Sequence, residues 1–153
     1  MKRFIYKLTF PLYQWYWKTF NPKTSGARAL IIHDNQILLG KNLNRKYWSL
    51  PGGKIDRGET PEQCVLRELK EELDLDNLTI DFQLGIYNSK REGKRDTIYI
   101  FVIFVKDLIF NKQWELEDAG WFSIDSLPSE VSSATKRRIR EYSAGEKNVL
   151  SRW

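Results

Sequence analysis

Residues Gly53 to Leu75 read GKIDRGETPEQCVLRELKEELDL, and this stretch decides how the 153-residue chain is read. Thr60 before Pro61 predicts a helix start, because a threonine hydroxyl accepts a first-turn N–H and proline fixes φ where no donor is needed. Gln63 stands where a capping box wants it, and the spacing predicts a helix over residues 61–73. Val65, Leu66, Leu69 and Leu73 fall on one arc of that helix, suited to a sheet. Glu68, Glu71 and Glu72 share a second arc at i, i+3 and i+4, with Arg67 and Lys70 outside it. Such an arc is either an ordinary solvated face or a set of carboxylates gathered around a cation. Oxygen ligands of this kind collect hard divalent ions, Mg²⁺ or Mn²⁺, and Mg²⁺ usually brings phosphate with it.

The residues on either side weigh toward a site. Gly52, Gly53 and Gly58 allow a loop that passes close to a ligand or adopts positive φ. Glu59 and Arg67 are placed to pair, and an arginine–carboxylate fork would tie that loop to the helix.

The order Gly53, five residues, Glu59, seven residues, then Arg67-Glu68-Leu69-Lys70-Glu71-Glu72 resembles the signature of the Nudix hydrolases. The flanking Trp48–Gly53 and Gly58–Gln63 are similar to its MutT-like branch. The likeness is strongest over residues 45–75 and extends over 27–128. One position departs: Asp74 stands where the signature has a helix-ending glycine, a left-handed position that aspartate tolerates better than most residues.

The resemblance implies an α+β fold, an α/β/α sandwich with a mixed sheet packed between helices. It implies hydrolysis of the pyrophosphate bond of a nucleoside diphosphate linked to another group X, with Mg²⁺ or Mn²⁺. Glu68 and Glu72 would be the core metal ligands, Glu71 would hold a further ion or act through water, and the Gly52 carbonyl is another ligand position. Gly53, Glu59 and Arg67 would support the site. The family draws its catalytic base from this helix, which makes Glu68 and Glu71 candidates, or from a late loop, where Glu115 is the best candidate beside Glu117 and Asp118. Arg28 and Lys54 are the expected substrate-binding cations, with Lys41, Arg45 and Lys46 near them. The residues after Leu127-Pro128 lack the asparagine that reads oxidised guanine in some members, and the four-cysteine zinc module of NADH-cleaving members is absent.

The rest of the chain fits one domain over residues 23–153 behind an arm at 1–22. Hydrophobic residues make up 41% and charged residues 29%, a globular balance, and the net charge of +5 favours anionic ligands. Cys64 is the single cysteine, so neither an internal disulfide nor a thiolate zinc cluster can form, which fits a reducing cytoplasm. The arm is basic and aromatic. It would pack on the domain or on a second subunit in a homodimer, or make a peripheral membrane contact through residues 1–20. Lys7, Gln14 and Lys18 break its apolar run and argue against a signal peptide.

Residues 29–32 and 36–39 predict a β-hairpin, 47–50 a short strand, 78–87 and 97–105 further strands, and 114–122 a last strand or ordered loop. Residues 131–142 predict a basic helix that closes the domain with a solvated face, Ile139 being its main apolar residue. Its segment Thr135–Arg140 keeps a second class open, a non-catalytic Nudix-fold module that binds nucleotide or RNA.

Overall fold

Ala27 to Ile32 is apolar on both faces apart from Arg28, and a strand of that kind belongs inside a sheet rather than at its edge. The computed structural model, which describes residues 23–43, 45–91, 94–106, 109–114 and 116–153, puts it there. The arm at 1–22 and Glu115 lie outside the described residues.

Strand β1 (Lys23–His33) runs parallel to β5 (Lys94–Phe104) along one edge, from Lys23↔Arg95 to Ile32↔Phe104. Its other edge is shared. β3 (Gly52–Lys54) pairs antiparallel with Gly26–Arg28, and β2 (Gln36–Asn42) pairs with the end of β1 through a hairpin at Asp34-Asn35. Beyond these lie β4 (Phe82–Arg91), β6 (Leu116–Ser123) and β7 (Val149–Arg152). Among the described residues the order is β6-β2-β1-β5-β4-β7, and the parallel pairs β1–β5 and β4–β7 make the sheet mixed.

Alternation along β1 divides the core between the two faces. Ala27, Ala29 and Ile31 pack with Cys64, Val65, Leu69 and Leu73 of α1 (Pro61–Leu73). Leu30 and Ile32 pack with Leu84, Tyr87 and with Ile139 of α2 (Ser133–Ser143). A fully buried leucine or valine contributes roughly 1.5–3 kcal/mol, so the apolar face of α1 fixes the orientation of its acidic face. The result is the expected α/β/α sandwich. No described helix is long and apolar enough to cross a membrane.

Helix α1 begins as its sequence says. Thr60 caps it, the Thr60 hydroxyl accepts from the Gln63 N–H, and the Gln63 side chain returns a hydrogen bond to the Thr60 backbone. Asp74 ends it in the left-handed region at φ 57° and ψ 39°, its N–H donating to the Lys70 carbonyl and the Leu75 N–H to that of Leu69.

Four expectations need correction. Residues 47–50 form no strand of their own: Trp48 and Ser49 make only single bridges to Val131 and Gly40, and the pairing strand is the glycine segment Gly52–Lys54. The strand expected from residue 78 begins at Phe82, because Leu78 and Ile80 serve the core beneath α1 instead of a ladder. The stretch 114–122 is strand only from Leu116. Arg138, expected on a solvated basic face, is 1% exposed. Its guanidinium lies 3.7 Å from the Tyr87 ring centroid, Nη2 donates to Glu141 Oε1 over 2.7 Å, and Nη1 donates to the Arg152 carbonyl over 3.2 Å. It thereby fastens β7, a strand the sequence reading missed, to α2.

Candidate active site

The glycine turn and the acidic helix meet edge to edge. Gly52 takes φ 124°, and a Cβ there would strike the Ala27 carbonyl, so only glycine lets β3 lie this close to β1. From this position the Gly52 N–H donates to Glu72 Oε2 over 2.9 Å. The next residue serves the second carboxylate: a Cβ at Gly53 would overlap the Glu68 carboxyl group. Two consecutive glycines thus face two carboxylates one helical turn apart.

Burial grades the three glutamates. Glu72 is 4% exposed, Glu68 half-buried, and Glu71 exposed. Burial pushes the carboxyl pKa of Glu72 up, opposed by the Gly52 N–H and the positive field of Arg28. Burial also raises that of Glu68, opposed by Arg67. Arg28 is half-buried on β1, and burial lowers its pKa against the pull of Glu72 and Glu68.

Arg67 ties the loop down. Its Nε donates to Glu59 Oε1 over 2.8 Å and its Nη2 to Glu59 Oε2 over 3.1 Å, a two-point fork. The same Nη2 donates to the Lys54 carbonyl over 3.1 Å, while Nη1 bridges Glu68 Oε1 at 2.9 Å and Glu71 Oε2 at 3.0 Å. Glu59 also accepts from the Asp56 N–H, closing the loop on itself.

That fork gives a pH signature. The Arg67 hydrogen bonds hold the Glu59 pKa at about 2, below its ordinary 4.5. A folded pKa below the unfolded one stabilises the fold fully above pH 4.5 and loses that contribution as pH falls toward 2. The Tm difference between the protein and Glu59→Gln is expected to be constant above about pH 5.5 and to vanish on approach to about pH 2. Thermal melts across that range check it.

The donor set fits an oxygen-preferring ion. Glu68 and Glu72 converge on Gly52-Gly53, and Mg²⁺ is commonly held by one or two carboxylates with substrate phosphate and water completing its shell. Among the described residues no three acidic, cysteine or histidine side chains gather closely enough to hold an ion. Glu71, expected to hold a further ion or act through water, pairs with Arg67 Nη1 at 3.0 Å.

The other expected residues divide. Lys54 is exposed, and its carbonyl accepts from Arg67 Nη2 and Cys64 Sγ of α1. Arg45 lies close enough to Arg28 for their charges to repel. Lys41 pairs with Glu117 at 3.4 Å, which engages one of the late-loop acids. Residues missed from sequence are Asn42, whose amide helps to offset the burial of the Glu72 carboxyl group, and Gln113, whose N–H donates to the Glu72 carbonyl over 2.8 Å. Neither carries a local sequence signal, because both reach Glu72 through tertiary pairing. Cys64 was also missed as a core residue; it is buried with Sγ 3.3 Å from the Lys54 carbonyl, and burial pushes its thiol up to about 11.

A family model for the NUDIX domain matches residues 22–142. The chain belongs to the NUDIX family. A Methanocaldococcus jannaschii protein named ADP-ribose pyrophosphatase is 32% identical over 120 residues, covering 74% of this chain and 69% of that one. A Bacillus subtilis protein with the provisional name 8-oxo-dGTP diphosphatase is 29% identical over 129 residues, covering 82% and 84%. The crystal structure of a MutT NUDIX hydrolase from Burkholderia pseudomallei superposes with a TM-score of 0.67 at 26% identity, over 78% of this chain and 97% of that one. With the MutT-like signature and the Nudix fold both present, the chain is a Nudix hydrolase.

Proposed function

We propose that this Nudix hydrolase cleaves the pyrophosphate bond of a nucleoside diphosphate linked to a further group X, with Mg²⁺ or Mn²⁺ as cofactor. The observation that carries the reading is the meeting of Glu68 and Glu72 at Gly52-Gly53, buried enough that both carboxyl pKa values rise. Two neighbouring carboxylates kept at partial burial are disfavoured in isolation, and a divalent cation offsets that cost. When bound, the ion supplies charge neutralisation at the phosphate oxygens and a lowered pKa for the attacking water.

The chain's own residues do the rest. Glu68, Glu72 and the Gly52 carbonyl would hold the ion. Arg28, with Arg45 beside it, would bind the outer phosphate charge, and Lys54 would contribute from the exposed side of the loop. The Arg67–Glu59 fork would keep the loop in register with the helix, which matters because small misplacements of catalytic groups lower rates steeply. Glu71 would join as a further ligand or as a base only by leaving Arg67. Glu115, the late-loop alternative for the base, lies outside the described residues.

The names of the two relatives carry different X groups, with the pyrophosphate bond in common. A turnover screen with Mg²⁺ over nucleoside triphosphates, nucleotide sugars, dinucleotides and capped RNA tests the reading. Release of phosphate, pyrophosphate or nucleoside monophosphate from at least one is expected. Silence across the panel with nucleotide binding intact would favour the non-catalytic module.

A further inference from the structure

The last turn of α1 carries Glu72, next to the final residue Leu73. The closing carbonyls of a helix have no partner within it and must find one outside. That of Lys70 takes the Asp74 N–H. Those of Glu72 and Leu73 are served from far along the chain: the Gln113 N–H donates to the Glu72 carbonyl over 2.8 Å, and the Asn111 N–H to the Leu73 carbonyl over 3.0 Å.

The segment that supplies these donors is braced by its own contacts. Phe110 packs against the core cluster that contains Leu73. Gln113 Nε2 donates to the Asn111 carbonyl over 3.1 Å, and the Leu116 N–H donates to the Gln113 carbonyl over 3.1 Å. Lys112 Nζ donates to the Leu116 carbonyl over 3.4 Å. Glu72 is therefore held twice, its carboxylate by the Gly52 N–H and its peptide carbonyl by the Gln113 N–H. The second tie has particular work in this chain. Helix ends fray, and this one closes at Asp74 with φ 57°, a backbone conformation that only glycine adopts without steric cost. Fraying there would carry the Glu72 carboxylate away from Gly52 and leave Glu68, one turn earlier, in place.

We infer that Gln113 is a positioning residue for the metal site: its backbone N–H, acting through the Glu72 carbonyl, holds the Glu72 carboxylate where it can share an ion with Glu68. This rests on the reading of Glu72 as a metal ligand given above. The Gln113 side chain is not what acts, so its N–H is the group to remove. A tie that improves the binding of an ion is strengthened by that ion in the same measure. Substitution and metal addition thus read one coupling from two sides.

Mn²⁺ uptake, followed by the paramagnetic resonance of the free ion, supplies the first reading. Gln113→Pro deletes the N–H and is expected to weaken uptake about tenfold, the scale of loss when a group that orients a metal ligand is removed. Gln113→Ala keeps the N–H and leaves uptake unchanged. Asn111→Pro deletes the neighbouring tie, to Leu73, and is expected to lower Tm as Gln113→Pro does while retaining most of the uptake. Equal uptake losses in the two proline variants would show that the segment only holds the helix together, and would overturn the assignment. An equal loss in Gln113→Ala, or undiminished uptake by Gln113→Pro, overturns it too. Amide hydrogen exchange of the unaltered protein supplies the second reading, which stands even where Gln113→Pro does not fold. Saturating Mg²⁺ is expected to slow exchange at the Gln113 amide about tenfold and at Asn111 less. Equal Gln113 rates with and without Mg²⁺ contradict the inference. A parent protein that takes up no Mn²⁺ overturns the metal-ligand reading of Glu72 as well, whereas uptake left intact by Gln113→Pro overturns this inference alone.

Discussion

Glu72→Gln is expected to lower kcat/KM by about a thousandfold, because a lost metal ligand forfeits several kcal/mol of transition-state stabilisation and each 1.36 kcal/mol is tenfold. Glutamine has the same shape and keeps an oxygen to accept the Gly52 N–H, now at 2.9 Å from Glu72 Oε2. Only the charge is removed. The fold is expected to stand, and in the absence of metal to gain. Burial raises the Glu72 pKa, so the folded state binds its proton more tightly than the unfolded state does. With a raised carboxyl pKa, stability falls as pH climbs from the ordinary 4.5 through the folded value. The neutral glutamine escapes that loss. Melts in chelator should therefore show Glu72→Gln equal to the parent in acid and at least as stable at neutral pH. Retention of activity within about tenfold would sink the assignment of Glu72 as a ligand.

Gly53→Ala is expected to reduce kcat/KM by about a hundredfold, the scale of loss from moving a catalytic group by an ångström. The added methyl would meet the carboxyl group of Glu68 and not backbone, so the flexible end of that side chain gives way and the fold does not. The change separates position from charge: every carboxylate remains, and one of them is displaced. A Tm within a few degrees of the parent with activity lost is the expected pairing. Gly52→Ala is its contrast. There the methyl meets the Ala27 carbonyl at φ 124°, so stability itself falls, by about 1–3 kcal/mol. Full activity in Gly53→Ala would mean that Glu68 works from some other position.

The local signals in the chain translated well into structure. Thr60, Pro61 and Gln63 specify a helix start within four residues, and the left-handed Asp74 ends the same helix. The nearly continuous apolar run of β1 encodes a strand covered on both faces. What was not legible is what depends on partners far along the chain. Strand β7 has an exposed Leu150 and no apolar face, and it exists because β4 offers a free edge and Arg138 holds the Arg152 carbonyl. Arg138 itself reads as one more cation in a basic run until Tyr87 and Glu141 are seen around it. In the site, helical spacing groups Glu68, Glu71 and Glu72 as equals. The tertiary structure ranks them, giving Glu72 to Gly52, Glu68 to the space over Gly53 with a hydrogen bond from Arg67, and Glu71 to Arg67 at the exposed edge.

Metal uptake itself tests whether Glu68 and Glu72 hold the ion in this Nudix hydrolase. Titration of Mn²⁺ followed by the paramagnetic resonance of the free ion reads binding without any substrate. The parent protein is expected to remove Mn²⁺ from solution, with Glu68→Gln and Glu72→Gln each weakening uptake at least about tenfold and Glu117→Gln leaving it unchanged. Undiminished uptake by Glu72→Gln, or a loss confined to Glu117→Gln, would contradict the assignment.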